Sequence, residues 1–318
     1  MIRRSTIKIA DYVSECLQLA ILLEVSAYPK PGNVHRTSNF QKTRYEQFLV
    51  SAVAVAPYFR HATERGIMVA TKEISPNEVE IGAAIKDATQ EVCRRQRGGN
   101  TLLGSIILLS PMAVAAGMMF AKGKFSVITL RKNLKTVAEL TTPMDAVEVY
   151  DAISIAKPGG LGKAPKLDVA DPDSKRKILN NKVTLFEIFK IASPYDSVAS
   201  EWVNNYPITF DLGYPYFAQQ LKQTDDINVA TVNTFLKILS EVPDTLIARK
   251  AGLAKSREVT ARAKEVLEIG DLTTSEGRKK LMEFDRSLRD AAHKLNPGTT
   301  ADLITAVLAI STLGGYRP

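Results

Sequence analysis

The sequence predicts an all-α fold, a single helical domain over residues 1–318 with about 12–13 helices. Three observations predict it. Apolar residues recur at spacings of three and four along most of the chain, as at Phe235, Ile238 and Leu239. A Ser or Thr is followed three residues later by an acid at Thr43/Glu46, Ser75/Glu78, Thr142/Asp145, Ser193/Asp196, Thr273/Glu276 and Thr299/Asp302, the pattern of a reciprocal helix cap. Strand signals are scarce: Phe125–Leu130 is β-rich, but Ser126 and the Lys/Arg pattern behind it suit a helix start equally well.

In chain order, helices are expected at about 5–27, 44–65, 76–96, 101–121, 126–141, 143–156, 183–192, 194–205, 214–223, 228–241, 244–268, 274–293 and 300–313. The first stops at Pro29 and Pro31, which fix their own φ and push the residues before them out of helical geometry. The fourth carries the apolar runs Ile106–Leu109 and Pro111–Ala116. Ser110, Pro111 and Gly117 keep it short of about 20 uninterrupted apolar residues, so it reads as a buried core helix. Between the sixth and seventh lies KPGGLGKAPKLDVADPDSKRKILNNK, residues 157–182, too long for an ordinary connection. It is either a mobile cationic flap over a ligand or a solvated connector.

Composition narrows the class. With 45% hydrophobic and 24% charged residues, the chain has an ordinary soluble globular make-up. The N-terminal MIRRSTIKIADY is charged without an apolar signal region, and Cys16 and Cys93 are the only cysteines, so a cytoplasmic location is expected and a cysteine zinc cluster is excluded. The net charge of +8 suggests anionic partners. Its cations are spread over many helices without a basic, aromatic-interleaved stripe, which favours a phosphate-rich small molecule over nucleic acid.

Two polar clusters interrupt the helical pattern. In Glu24–Arg36, Lys30 sits on a stiff proline pedestal, and Gly32 allows close backbone approach. Lys30, Arg36 and the amides of Gly32 and Asn33 could converge on a polyphosphate; the alternative is a rigid turn with snorkelling cations. In Arg97–Gly104, Gly99, Asn100 and Thr101 open the most apolar helix, where free amides and the positive dipole end favour an anion. There Asn100 could equally be a simple cap and Gly104 a helix-packing residue.

Other chemistries fail on spacing. Gly159–Ala164 is not a Walker loop: Lys157 stands where its first glycine belongs, and Ala164 where a hydroxyl is needed. His35, His61 and His293 share no chelating spacing, and no Gly-x-Ser-x-Gly nucleophile turn occurs. Asp196, Asp244 and Asp302 remain as acids that either cap helices or, beside Arg249, Lys250, Asn296 and Thr299, serve a magnesium–polyphosphate site.

The ordered set PKPGNVHR, GGNTLLG, PGGLG, YDSVASEW, PDTLIARK and NPGTTADL, from Leu17 to Leu313, resembles the triphosphoribosyl-dephospho-CoA synthase family, most closely its archaeal and methylotroph branch. The resemblance implies an all-helical transferase that moves the triphosphoribosyl group of ATP to the 2'-hydroxyl of dephospho-CoA, releasing adenine with Mg2+ present. It gives Lys30, Asn33, Asn100, Thr101 and Arg249 to phosphate and nucleotide binding, with Gly32, His35, Arg36, Gly99, Asn296 and Thr299 beside them. Glu24, Asp244 and Asp302 are expected to act on the sugar, and Asp196 and Asp302 to meet the metal. His35-Arg36 and Leu102-Leu103 depart from the lyase-associated enzymes, which carry an acid after the Pro-Gly turn and a His-Lys pair after Asn-Thr. A different acceptor, such as a methanopterin-type pterin precursor, is therefore an alternative, as is a non-catalytic nucleotide-binding protein. Expected partners are nucleotides, with neither nucleic acid nor membrane; a homodimer is among the expected assemblies.

Overall fold

The computed structural model of the chain describes residues 2–318; the side chains of residues 2–5, part of the charged N-terminal stretch, lie outside the description. Among the described residues, fifteen α-helices are joined by short turns, and the only β pairing is one isolated bridge, His35 to Ser38. The helices are α1 (Ile2–Ser26), α2 (Tyr45–Ala70), α3 (Ile81–Arg95), α4 (Leu103–Phe120), α5 (Val127–Glu139), α6 (Pro143–Ala156), α7 (Ser174–Asn180) and α8 (Leu185–Ala192). They continue as α9 (Ser197–Val203), α10 (Tyr214–Thr224), α11 (Ile227–Glu241), α12 (Thr245–Ala251), α13 (Leu253–Ile269), α14 (Ser275–Leu288) and α15 (Gly298–Leu313). A 3₁₀ turn (Pro76–Glu78) and a π-turn (Ile208–Gly213) complete the list.

Three expected elements divide. The stretch 76–96 breaks at Glu80, whose φ of 59° takes the chain out of the 3₁₀ turn and into α3. The stretch 244–268 breaks at Gly252, with φ 92°, a left-handed conformation that glycine adopts without a Cβ clash. Residues 157–182 contain the short helix α7, so the irregular part is confined to 158–173.

The caps were only partly where the Ser/Thr-x-x-acid pattern put them. Ser75/Glu78 and Thr142/Asp145 form reciprocal boxes, as does Thr184/Glu187, a further pair with the same spacing. Elsewhere a neighbour takes the cap. Thr43 turns its hydroxyl to the Gly98 carbonyl (2.9 Å), leaving Arg44 to start α2; Thr274 caps α14; and Asp196 is itself the cap of α9. Thr299 and Asp302 lie inside α15.

The centre is α4. It is apolar on every face and buried along almost its whole length, as a core helix must be. By length and composition α4 could cross a membrane, yet α1, α2, α3, α5 and α15 surround it. Its closest neighbour is α2, and two glycines make that approach feasible. A Cβ on Gly66 would fall 2.0 Å from the Val114 carbonyl oxygen, and one on Gly117 2.2 Å from that of Thr63. All the apolar helices feed one continuous core.

Pro111 creates a local debt inside α4. Having no N–H, it cannot donate to the carbonyl of Ile107 one turn earlier, and that carbonyl is buried. The indole Nε1–H of Trp202 on α9 donates to it instead, at 3.1 Å. This bond fastens the site-bearing α9 to the core helix. Trp202→Phe should therefore lower the unfolding free energy by about 1–3 kcal/mol in urea titrations. The loss should shrink in a Pro111→Ala background, where α4 supplies its own donor; an equal loss in both backgrounds would refute this account.

Candidate functional site

One cavity of about 500 Å³ gathers the polar segments. Its walls come from the end of α1, the 33–48 segment, the N-terminus of α4, α6, the 157–169 loop, α8, α9, α12 and the start of α15. Residues far apart in sequence meet on it: Glu24, Asn33, Asn100, Thr101, Asp196, Arg249, Asn296, Thr299 and Asp302 all line this space. Lys30, Gly32, His35, Arg36, Gly99 and Asp244 do not.

Those six have identifiable other duties. Lys30 is fully buried behind Glu24 and donates a short hydrogen bond to its carboxylate. Burial pushes the Glu24 carboxyl up and the Lys30 ammonium down, while their mutual attraction works the other way. Lys30 thus neutralises a wall acid and has no free charge for a ligand. The Gly32 amide donates to Asp285 Oδ1 at 2.8 Å. With φ 71° and the Leu288 Cβ where a Cβ of its own would sit, this position requires glycine. His35 is buried beside α14, with Arg289 Nη2 2.9 Å from its Nε2. Arg36 is exposed and lies over the Tyr28 ring. Gly99 supplies only a left-handed turn and a carbonyl that accepts from Gln96. Asp244 has both oxygens engaged: Oδ1 caps α12 at Leu246 and Ile247, and Oδ2 accepts from the Thr300 amide and hydroxyl at 2.7 and 2.8 Å.

The proline turn is held from two helices that no motif singled out. Asn228 on α11 brackets Tyr28, accepting from its N–H at 2.8 Å and donating to its carbonyl at 2.6 Å. On α14, Asp285 takes the Gly32 amide, while Arg289 Nη2 donates to the Asn33 carbonyl at 2.8 Å. Burial alone would raise the Asp285 carboxyl, but nearby His35 and bonds from Arg289 and the Gly32 amide bring it below the usual range. A signal for it existed: Asp285 sits on the buried stripe Leu281, Phe284, Leu288 of α14, where an unpartnered acid would not survive.

Asp302 is the acid best placed for chemistry. It stands half-buried on α15, its Oδ1 accepts from the Ser105 hydroxyl at 2.6 Å, and burial, with the charges of Glu24 and Asp244, pushes it up to about 7. Its room comes from Gly104, where a Cβ would fall 2.1 Å from Asp302 Oδ2. Asp196, in contrast, is committed: Oδ1 caps α9 and Oδ2 pairs with Arg249 at 2.6 Å. Among the described residues no three His, Cys, Asp or Glu side chains form a metal-binding group. Two polar atoms on the cavity-lining residues, Asn296 Oδ1 and His293 Nδ1, are buried without a protein partner. The His293 ring stacks on Phe40 at 4.0 Å between centroids.

Comparison with known proteins gives one family. The model of the ATP:dephospho-CoA triphosphoribosyl transferase family matches residues 10–318. A 2-(5''-triphosphoribosyl)-3'-dephosphocoenzyme-A synthase of Klebsiella pneumoniae is 23% identical over 309 residues, covering 95% of this chain and 91% of that one. The CitXG protein of Leuconostoc mesenteroides subsp. cremoris is 24% identical over 298 residues; the match takes 93% of this chain but only 57% of that longer protein. A crystal structure from Archaeoglobus fulgidus, provisionally described as a triphosphoribosyl-dephospho-CoA synthase, shares the fold with a TM-score of 0.61 at 23% identity, covering 85% of this chain and all of that one.

Two outcomes follow from the buried charges. Lys30→Met should cost about 3–5 kcal/mol by leaving Glu24 unpaired, and adding Glu24→Gln should restore most of it in denaturant titrations. For Asp302 the folded pKa lies above the unfolded value of 3.8, so folded protein binds the extra proton between about pH 4 and 7. Stability should therefore fall as pH rises through that window and level off above it. The difference between wild type and Asp302→Asn, measured by urea unfolding across pH, should show this slope; a flat difference would contradict it.

Proposed function

The chain belongs to the ATP:dephospho-CoA triphosphoribosyl transferase family, and on that premise we propose that its cavity transfers the triphosphoribosyl group of ATP to a hydroxyl of dephospho-CoA, with release of adenine. One observation carries the reading: a half-buried carboxyl pushed up to about 7, Asp302, lines the same cavity as the nucleotide-type polar residues Asn33, Asn100, Thr101, Asn296 and Thr299.

The chemistry asks for little more. The bond between adenine N9 and the ribose C1' breaks, a bond from the acceptor oxygen to C1' forms, and the hydroxyl proton is passed on as neutral adenine departs. The transition state carries positive charge on the sugar, which a carboxylate in a low-dielectric wall stabilises. Asp302, poised near pH 7, is matched to take the acceptor proton. The orphaned Asn296 Oδ1 offers an acceptor for a sugar or base N–H or O–H, and the amide-rich start of α4 faces the same space. Glu24, kept partnered by Lys30, presents a neutralised pair to the cavity.

Magnesium fits this donor set only as a passenger of the nucleotide. Asp196 spends both oxygens on α9 and Arg249, and Asp302 has Oδ1 hydrogen-bonded to Ser105, so a protein cage for the ion is not assembled. Magnesium bound through ATP phosphates is its usual manner and would lower the charge repulsion among them.

The test is direct. Purified protein with ATP, Mg2+ and dephospho-CoA should release adenine in step with a dephospho-CoA adduct heavier by the triphosphoribosyl group. Asp302→Asn should lower kcat by about 10²–10⁴-fold, with ATP affinity by calorimetry changed far less. Absence of adenine from the wild-type reaction would reject the assignment.

A further inference from the structure

The residue that the proline turn offered as a phosphate ligand is consumed, which leaves open where a polyphosphate would sit. Lys30 has no exposed surface and its ammonium serves Glu24. Arg249 reaches the cavity, yet its guanidinium is tied to Asp196. Three other cations line the cavity, Lys157 and Lys166 on the loop and Lys250 on α12, and none has an ion-pair or hydrogen-bond partner among the described residues.

We propose that Lys250, roofed by the Gly159-Gly160 turn and sharing its cavity with Lys157 and Lys166, is the seat of the substrate polyphosphate. The inference rests on the transferase reading of this cavity and adds which residues hold the charged part of the substrate.

Lysines exposed on a loop are ordinary; Lys250 is not. It is half-buried, and the loop lies directly on it: a Cβ on Gly160 would be 2.8 Å from Lys250 Cγ, and one on Gly159 3.2 Å from Lys250 Cε. Gly160 has φ 74°, so both its conformation and its contact with the lysine stem require glycine. That contact gives the PGGLG segment a purpose that Walker geometry could not. Burial pushes the Lys250 ammonium below its ordinary range. A polyanion in contact would reverse this, since opposite charge favours the protonated form. The loop's own acid does not compete, because Asp168 turns Oδ2 to the Ala164 amide and Oδ1 to the Ala170 amide.

Two sources share this chemistry, the triphosphate of ATP and the pyrophosphate of dephospho-CoA, and calorimetry with separate ligands tells them apart. Wild type, Lys250→Gln, Lys250→Arg and the Lys157→Gln/Lys166→Gln pair would be titrated with ATP, adenosine, inorganic triphosphate and dephospho-CoA. Lys250→Gln should weaken ATP and inorganic triphosphate by about tenfold or more, leave adenosine unchanged, and be largely rescued in Lys250→Arg. The same loss confined to dephospho-CoA would support the seat and assign it to the acceptor. If Lys250→Gln melts like wild type and still prefers ATP over adenosine by the wild-type factor, the lysine seat is overturned while adenine release by wild type keeps the transferase reading intact. No adenine release from wild type would overturn the reading itself.

Discussion

The cavity depends on one buried ion pair. Lys30 reaches back from the proline turn to Glu24 at the end of α1; the lysine has no exposed surface, and the acid shows only an edge to the cavity. Taking two charges out of solvent costs several kcal/mol each, so the arrangement persists only if the geometry is fixed by something else. Here the fixing is done by Asn228 on α11 and by Asp285 and Arg289 on α14, which hold the backbone at Tyr28, Gly32 and Asn33. The pair and its clamp together deliver Asn33 and Glu24 to the cavity wall. Removing the lysine would strand the acid, and loosening the clamp would let the lysine leave it.

The same logic sorts the acids. Carboxylates at helix starts are held by backbone amides, and Asp196 and Asp244 follow that rule, Oδ1 of each accepting two, although burial pushes the Asp244 carboxyl up. They set the attitude of α9, α12 and α15. Glu201 is a third structural acid: it is buried, accepts from Ile208, Thr209 and the Thr209 hydroxyl, and stabilises the π-turn, although burial pushes it up to about 7. Asp302 is distinguished from Glu201 by position, not by its acidity. Both are pushed up to about 7, but Glu201 is wholly buried and only Asp302 borders the cavity.

Much of the fold was legible because helices announce themselves locally. Period and apolarity located nearly every helix, and the buried character of α4 followed from its lack of a polar face. Breaks were harder, since Glu80 and Gly252 turn the chain by backbone angle within stretches whose side-chain period continues. The site was legible as a set of segments, not as roles. Lys30 looked like an anion ligand because a sequence shows a charge and not its partner, and Glu24 lies six residues away across the end of a helix. Asp285 and Arg289 were not singled out, since i,i+4 spacing is shared with ordinary surface pairs and only the buried stripe of α14 hints at their inward position.

The two departures from the lyase-associated pattern fall in different places, and this bears on the acceptor. His35 and Arg36 are off the cavity, one buried against Asp285 and Arg289 and the other lying on Tyr28, so their change alters how the turn is clamped. Leu102 and Leu103 are on the wall, at the mouth of α4, almost fully covered. A His-Lys pair there would supply donors and charge; two leucines supply apolar area to an otherwise polar end of the cavity. Polar recognition must then move to side chains that remain. The loop lysines, Lys250 and the unpaired Asn296 oxygen are the groups on that wall with capacity to spare. Any difference in acceptor choice from the lyase-associated enzymes would therefore arise at α4 and the 157–169 loop, not at the proline turn.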